Sequence, residues 1–293
     1  MGCGLLLAVL LALPGSMARG RGGTIAATGA HDPYRDYTIT ITPVVSHQVS
    51  FTDEVLGMSF DDTGWPRILC VSGLDDMLYS LEPLTADSLD ALALAEPNDE
   101  CWGVAWLDEV LVYTNDCSDT WLYWYDSSEW FTDENGAGSD GRGMDYDSDL
   151  FWQAVNEGAL HSVVSWDPMS GIWTWSDISA WVPGDLSGLT AFARDTSSYV
   201  CVTTFDAADI WVFRTEDREI AEYIGSASLP APATSSHGLC YSDYFDSFWW
   251  SYESGGGNYI YQFDMHIELT AIEGTTWGGI KARFQEAALG LPR

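Results

Sequence analysis

The sequence predicts an all-β protein in which one four-stranded antiparallel unit is repeated five times around an axis. Two observations support this fold class. A pattern that opens with glycine and continues with short apolar, aromatic-rich runs occurs five times in the 293 residues. Within each copy the runs alternate apolar and polar residues and are separated by acidic or glycine-containing turns, which is typical of antiparallel strands. The fold that arranges such units radially is the β-propeller.

The five copies begin at glycines that are 46, 40, 45 and 50 residues apart. These glycines are Gly57, Gly103, Gly143, Gly188 and Gly238. In each copy the glycine opens a first strand, and two strands rich in β-branched and aromatic residues follow. A fourth, weaker strand fills the interval before the next glycine, for example at residues 90–95 and 172–175. First strands crowd around the axis of a propeller, so a residue without Cβ is expected at their start.

Ring closure requires an outermost strand for the fifth blade. Residues 37–43 (YTITITP) form a cleanly alternating strand with no partner of their own. We predict that this N-terminal strand pairs into the fifth blade, because closure removes exposed strand edges. The alternative is that residues 266–272 form that strand and the N-terminal strand pairs elsewhere. The propeller is predicted to span residues 37–268.

Tryptophans fall on predicted strands in four of the five repeats. Stacked propeller blades leave a gap that widens outward, and large flat side chains fill it. We therefore interpret these tryptophans as core residues, with carbohydrate stacking as the alternative. They are Trp106, Trp124, Trp152, Trp166, Trp211 and Trp250.

The N-terminus has the features of a signal peptide. Residues 5–13 form a short apolar run, Pro14 and Gly15 break it, and Ser16-Met17-Ala18 has the small-x-small form of a cleavage site. We predict a signal peptide at 1–18 and a secreted or cell-surface protein. Residues 19–36 are predicted to be a flexible N-terminal segment, and residues 269–293 a C-terminal tail. No apolar run reaches the roughly 20 residues of a membrane helix.

The chain is strongly acidic, with 44 Asp and Glu against 11 Lys and Arg and a net charge of −33. Such a field repels nucleic acid and anionic membranes and favours neutral or cationic partners. We expect a monomer with no nucleic-acid partner, and a glycan or another surface protein as the ligand. The acids act as a solubilising surface in one interpretation and bind calcium in the other.

One repeat, GLCYSDYFDSFWWSYESGGGNYIYQFD (residues 238–264), resembles the propeller repeats of secreted bacterial proteins, which follow a loose G-L-x-aromatic…L-W…I-x-x-D pattern. Residues 275–284 (TTWGGIKARF) are similar to a short C-terminal S/T-W-G-x-I/L-K sequence of exported Gram-negative proteins. The resemblance implies a secreted propeller whose tail serves sorting or surface attachment. Relatives of this type include sugar lactonases, cyclotransferases and proteins with no known activity, so it implies no particular chemistry.

Five cysteines remain after removal of the signal peptide. In the second repeat the hairpin pairs residues whose numbers sum to about 217 or 218, so Cys101 and Cys117 are expected to face each other and form a disulfide. Cys70 and Cys201 lie in the middle of second strands and are expected to be buried thiols. Cys240, on a first strand, is expected to be free.

Residues 145–149 (DYDSD) resemble the start of a calcium loop. An EF-hand requires glycine where Leu150 stands and a bidentate glutamate where Asn156 stands. The repeat alignment instead places residues 147–149 in the turn between the first and second strands, where aspartate is favoured for backbone reasons. We predict a turn and no metal site, with no cofactor other than calcium under consideration.

The residues just before the five glycines are expected to line one mouth of the axial channel. Three of them, Trp102, Arg142 and His237, have side chains suited to an anionic or sugar ligand, and we predict a ligand-binding site there. The other two positions are Leu56 and Ser187.

Enzyme motifs are missing from the sequence: it has no G-x-S-x-G elbow, no H-E-x-x-H and no phosphate-binding or dinucleotide fingerprint. The catalytic residues are therefore unknown, and we expect a non-catalytic extracellular binding or scaffold protein. The alternative is a carbohydrate-active hydrolase or lyase that uses acidic residues near the axis. Asp145, on a first strand, is the carboxylate best placed to have the raised pKa that such an enzyme needs.

Overall fold

The computed structural model describes residues 36–73, 75–94, 101–107, 110–115, 119–124, 129–134, 140–147 and 149–270. All 20 described elements are β-strands. In chain order the first ten are β1 (Asp36–Val49), β2 (Gly57–Asp61), β3 (Arg67–Ser72), β4 (Met77–Leu81), β5 (Ser88–Ala93), β6 (Cys101–Leu107), β7 (Val110–Asn115), β8 (Asp119–Trp124), β9 (Glu129–Glu134) and β10 (Gly141–Asp147). The other ten are β11 (Leu150–Glu157), β12 (Leu160–Asp167), β13 (Ile172–Asp177), β14 (Leu186–Arg194), β15 (Ser197–Thr204), β16 (Ala207–Glu216), β17 (Glu219–Ser228), β18 (Ser235–Ser242), β19 (Ser247–Ser254) and β20 (Gly257–Thr270).

The strands form five four-stranded antiparallel sheets, which we number in chain order. Sheets 1 to 4 are β2–β5, β6–β9, β10–β13 and β14–β17, and sheet 5 has the order β1-β20-β19-β18. The first strands contact one another in the order β2, β6, β10, β14, β18, and β18 returns to β2. The all-β propeller fold predicted from the sequence is therefore correct.

The predicted ring glycines lie where neighbouring first strands almost touch. A Cβ on Gly57 would lie 2.8 Å from Cα of Gly103, and one on Gly238 would lie 2.8 Å from the carbonyl oxygen of Leu56. Both contacts are to backbone atoms of the adjacent sheet, so no side-chain rotation could relieve them. Glycine is required here by this close approach.

Pairing registers shift at the same glycines in sheets 2, 3, 4 and 5, for example between Cys101 and Gly103 and between Ser236 and Leu239. These shifts are β-bulges, which place one extra residue on the first strand. In these four sheets the bulge takes the residue just before the glycine out of the regular ladder, at the end of the strand where the predicted site residues lie.

Sheet 5 is completed by the N-terminal strand. β1 pairs antiparallel with β20, from Asp36 opposite Thr270 to Val49 opposite Asn258. This confirms the predicted pairing of residues 37–43 with the last repeat. The alternative is wrong, because residues 266–270 continue β20 and do not form a separate strand. The propeller strands span 36–270, against the predicted 37–268.

The inward face of β1 carries Tyr37, Ile39 and Ile41, which pack on the apolar cluster between sheets 4 and 5. We expect Ile41→Ala to lower the free energy of unfolding by about 1–2 kcal/mol, because the side chain is partly buried and its loss leaves space in that cluster. Thr40→Ala, on the exposed face of the same strand, is the matched control and should change stability by less than about 0.5 kcal/mol. Urea denaturation measures both values, and equal costs would contradict the packing described.

Aromatic side chains fill the spaces between sheets as predicted. Trp152, Trp211 and Trp250 are buried, Trp106 is 8% exposed, and Trp166 stacks on Trp173 with ring centroids 5.4 Å apart. Trp124 lies in a strand whose side chains are outside the described part. The core is therefore distributed between sheets, and the ends of the first strands are left to form a site.

Among the described residues, no helix is long and apolar enough to cross a membrane. The predicted signal peptide, most of the flexible segment and the C-terminal tail lie outside these residues, so their assignments stay predictions.

Candidate functional site

The three predicted site residues lie at the starts of first strands, at one end of the ring: Trp102 on β6, Arg142 on β10 and His237 on β18. We call the surface formed by these residues and their neighbours the axial mouth. Leu56 and Ser187, at the equivalent places in sheets 1 and 4, are each 2% exposed. Of the five predicted residues, Trp102 and Arg142 are thus partly exposed, and Leu56, Ser187 and His237 are buried.

An aromatic contact crosses the mouth. The Trp102 ring meets the edge of Phe205 at a centroid distance of 5.4 Å, and Phe205 meets the His237 ring at 5.8 Å. Phe205 lies in the turn between β15 and β16, in sheet 4, whereas Trp102 belongs to sheet 2. Sheets 2 and 4 are not neighbours in the ring, so these two side chains reach towards each other over the axis.

Arg142 completes this aromatic group. Its guanidinium carbon lies 4.5 Å from the centroid of the Trp102 ring, a cation–π geometry. Its Nη1 donates a 3.0 Å hydrogen bond to the carbonyl oxygen of Gly141, and Nη2 lies 3.8 Å from Asp140. Thus the structure brings Trp102 and Arg142 into contact and joins them to His237 through Phe205, a residue that was not predicted from the sequence.

Hydroxyl groups on the second strands hold the mouth in place. Thr203 Oγ1 accepts a hydrogen bond from the Gly188 amide and donates to the carbonyl oxygen of His237, each at 3.0 Å. In the next sheet Ser251 Oγ accepts from the Gly238 amide at 2.8 Å and donates to the carbonyl oxygen of Val55 at 2.9 Å. Each hydroxyl lies beside a ring glycine and binds the following sheet, so it fixes the backbone of the mouth.

His237 lies among acids at the edge of the mouth. One oxygen of Glu54, one oxygen of Glu253 and one ring nitrogen of His237 lie within 4.8 Å of one another. His237 is 4% exposed, and neither ring nitrogen has a hydrogen-bond partner among the described residues. The closest charged group is Glu253, whose Oε1 lies 3.6 Å from Nε2. Burial lowers the pKa of His237, and Glu253 partly opposes this shift.

The sequence predicts no metal site, and neither Glu54 nor Glu253 stands out in it. Glu54 lies three residues before Gly57 and two residues before Leu56, the position expected to line the mouth. Glu253 pairs with Ser235, two residues before His237. Both residues could have been found from the sequence by considering the whole segment before each ring glycine together with the strand that pairs with it. A donor set of one imidazole and two carboxylates can hold a divalent transition metal.

Asp145, the predicted acid candidate, is used inside the structure. Its Oδ2 accepts hydrogen bonds from Thr190 Oγ1 at 2.6 Å and the Ala191 amide at 2.9 Å, and Oδ1 accepts from the Tyr146 amide at 2.9 Å. Burial raises the pKa of Asp145 to about 7 despite these three donors. The carboxyl group thus has the raised pKa that an acid catalyst needs, but its oxygens join β10 to β14.

In the acidic segment 145–149, residues 145–147 end β10 and Asp149 lies in the turn before β11, within the turn predicted for residues 147–149. Asp149 has a φ of 65° in the turn between β10 and β11, a left-handed conformation that aspartate tolerates. The Asp145 side chain is bound to sheet 4 and does not join Asp149 in a common ligand set.

The cysteines are buried. Cys70, Cys101, Cys201 and Cys240 are free thiols with 0% exposure, which confirms the expectation for Cys70, Cys201 and Cys240. Burial raises the pKa of all four thiols. The predicted Cys101–Cys117 disulfide is not supported: Cys101 is free, and Cys117 lies outside the described residues. The bulge in sheet 2 places Cys101 opposite Asn115.

Two large clefts lie away from the axial mouth, between sheets. One has a volume of 720 Å³ and is lined by residues that include Arg194, Asp246 and Asp264. The other has a volume of 640 Å³ and is lined by residues that include Asp167, Tyr199 and Arg218. In each cleft the arginine is paired with an aspartate of the lining, Arg194 with Asp246 and Arg218 with Asp167. Each arginine is thus compensated by its aspartate, while the further acids of the two linings leave both clefts acidic.

Comparisons with known proteins agree on the fold and go no further. No protein family matches the chain, and no curated protein matches it. The crystal structure of glutaminyl cyclase from Myxococcus xanthus is similar with a TM-score of 0.56 and 10% identity, over 80% of this chain and 98% of that one. The PQQ-bound aldose sugar dehydrogenase from Streptomyces coelicolor is similar with a TM-score of 0.53 and 10% identity, over 78% of this chain and 99% of that one. At this identity the likeness establishes a β-propeller and transfers no activity.

Proposed function

We propose that the chain is an exported, five-bladed β-propeller that binds a neutral glycan at its axial mouth and catalyses no reaction on it. The observation that carries this proposal is the convergence of Trp102, Phe205 and Arg142 from three different sheets. Trp102 and Phe205 are partly exposed there, so their rings offer apolar surface to a ligand. Aromatic rings beside a few fixed polar groups are the usual lining of a small-ligand site.

The charge of the chain supports a neutral ligand. A net charge of −33 repels anionic partners at long range, and Arg142 is already compensated by Asp140 and the Trp102 ring. A neutral sugar meets no such repulsion, and its C–H faces can pack on the aromatic rings. Export is supported by the apolar run and cleavage motif of residues 1–18.

The test is a glycan array probed with the labelled mature protein, followed by calorimetry on each glycan retained. We expect Trp102→Ala to weaken binding by at least about tenfold, because it removes the central aromatic surface of the mouth. Trp65→Ala is the matched control, since Trp65 is 76% exposed and lies in the turn between β2 and β3. Equal binding by both variants, or the absence of any bound glycan, would contradict the proposal.

The competing function is a carbohydrate-active hydrolase or lyase that uses axial acids. Asp145 is the carboxyl group whose pKa favours it, but the three hydrogen bonds that it accepts within the protein leave it poorly placed to reach a substrate. Incubating the protein with the glycans that it binds, and measuring new reducing ends and unsaturated products, separates the two functions. Turnover by the wild type would favour the enzyme; its loss in the Asp145→Asn variant would then assign the acid to Asp145, and its survival there would point to other acids.

A further inference from the structure

We infer that Glu54, His237 and Glu253 form a binding site for a divalent transition metal, with zinc as its representative, at the edge of the axial mouth. The three residues come from separate places in the chain: the loop before β2, the start of β18 and the end of β19. The site does not depend on glycan binding, and it adds a metal ion to a surface for which the sequence predicts none.

The first argument is the spacing of the donor atoms. His237 Nε2 and Glu253 Oε1 are 3.6 Å apart, which is longer than a hydrogen bond. Two ligands at zinc bond lengths of about 2.0–2.2 Å and tetrahedral angles are separated by about 3.4 Å. The observed distance therefore suits two ligands of one ion better than a direct contact. Glu54 supplies a third donor within 4.8 Å of the other two.

The second argument is the state of His237. A buried polar group normally has a hydrogen-bond partner, because leaving it without one costs about 1–3 kcal/mol. Both ring nitrogens of His237 are buried without such a partner among the described residues. A metal bound to Nε2, the nitrogen that faces Glu253, would give that nitrogen the partner that the described protein atoms do not supply.

The third argument is that hydrogen bonds and a ring contact hold two of the three ligand residues in place. The carbonyl oxygen of His237 is held by Thr203 Oγ1 at 3.0 Å, and the ring lies against Phe205 at 5.8 Å. The backbone of Glu253 is held in turn, because its carbonyl oxygen accepts a 2.8 Å hydrogen bond from the Thr234 amide. Two of the three ligands are thus fixed on strands. This favours binding because less side-chain and backbone entropy is lost when the ion binds.

The donor types select the metal. Imidazole nitrogen suits zinc, copper, iron and nickel, whereas calcium and magnesium prefer shells of oxygen atoms. Three protein ligands leave at least one coordination position for water or for a ligand in the mouth. We therefore expect zinc to bind here more tightly than calcium, and the calcium considered from the sequence to be bound only weakly.

The test uses the mature protein freed of metal with a chelator and titrated calorimetrically with zinc chloride. We expect one equivalent of zinc per chain, and an affinity lower by at least about 100-fold in Glu253→Gln and in His237→Ala, since losing a ligand costs more than losing the group behind it. Glu253→Gln retains the side-chain volume at a partly exposed position and guards against misfolding of the histidine variant. His266→Ala is the matched control, because His266 faces Glu268 at 3.2 Å in an exposed pair that belongs to no three-donor group among the described residues.

A cobalt spectrum gives a second readout. Cobalt bound at the wild-type site should give visible absorption of a low-coordinate ion, and Glu253→Gln should lose it. The inference is overturned if no zinc binds, if Glu253→Gln binds as tightly as the wild type, or if many weak equivalents bind zinc, calcium and magnesium alike. Repeating the glycan titration with and without chelator separates the two proposals. Glycan binding can then fail while zinc still binds, and zinc binding can fail while the glycan still binds.

Discussion

Replacing Gly143 with alanine is expected to lower the free energy of unfolding by at least about 3 kcal/mol. A Cβ on residue 143 would lie 2.2 Å from the backbone nitrogen of Leu189 and 2.7 Å from Cα of Gly188. Both atoms belong to the first strand of the next sheet, so β10 and β14 would have to separate and the ring would open. Urea denaturation followed by tryptophan fluorescence measures the loss.

Gly158→Ala is the control for the intrinsic cost of replacing glycine. Gly158 has a φ of 62°, but no heavy atom lies within 4 Å of the position that a Cβ would take there. The variant should therefore lose only about 1–2 kcal/mol, from backbone strain alone. If Gly143→Ala costs no more than Gly158→Ala, the first strands do not approach each other as closely as the structure has them.

The second large effect is a dependence of stability on pH that comes from Asp145. Its folded-state pKa of about 7 lies above the ordinary value of 3.8, so the folded protein binds a proton that the unfolded chain releases between these values. The contribution of Asp145 to stability is therefore greatest below pH 4, falls as the pH rises to about 7, and is constant above that. The total change is roughly 4 kcal/mol, at about 1.4 kcal/mol per pKa unit.

The variant Asp145→Asn cannot ionise and should lose this pH-dependent component. We expect the variant to be less stable than the wild type at pH 4. The difference in their free energies of unfolding should become smaller as the pH rises to 8. Asp87→Asn removes the same charge from an exposed turn and controls for the general repulsion within an acidic chain. Parallel curves for the wild type and Asp145→Asn, measured by urea denaturation across this range, would show that Asp145 is already ionised in the folded protein.

Much of the fold could be predicted because its signals are local. Each repeat begins its first strand with a glycine that packing at the axis requires. The alternating residues 37–43 indicated a strand with no partner nearby in the sequence, so its partner had to come from a distant part of the chain. Buried tryptophans and thiols followed from their places on these strands. Such features depend on the pleat and on neighbouring residues, so the sequence displays them directly.

The site was predicted only in part because its residues meet through the closed ring. Trp102 could be assigned to the mouth, but its contact with Phe205 depends on side chains that cross the axis between sheets that are not neighbours. Glu253 reaches His237 only after the bulge at Gly238 has shifted the register. A shift of the same kind places Cys101 opposite Asn115. Single-residue bulges leave no clear mark in a sequence, yet they decide which side chains face each other.

The pairing of β1 with β20 also sets the order in which the molecule can be completed. The two strands are separated by more than 200 residues, and sheet 5 lacks its outermost strand until both are present. During synthesis β1 emerges before the other strands of the propeller and stays unpaired while four sheets form. An unpaired strand with open hydrogen-bonding groups is vulnerable to pairing with another chain. The alternating threonines of β1, exposed at Thr38, Thr40 and Thr42, keep one face of that strand polar over this interval.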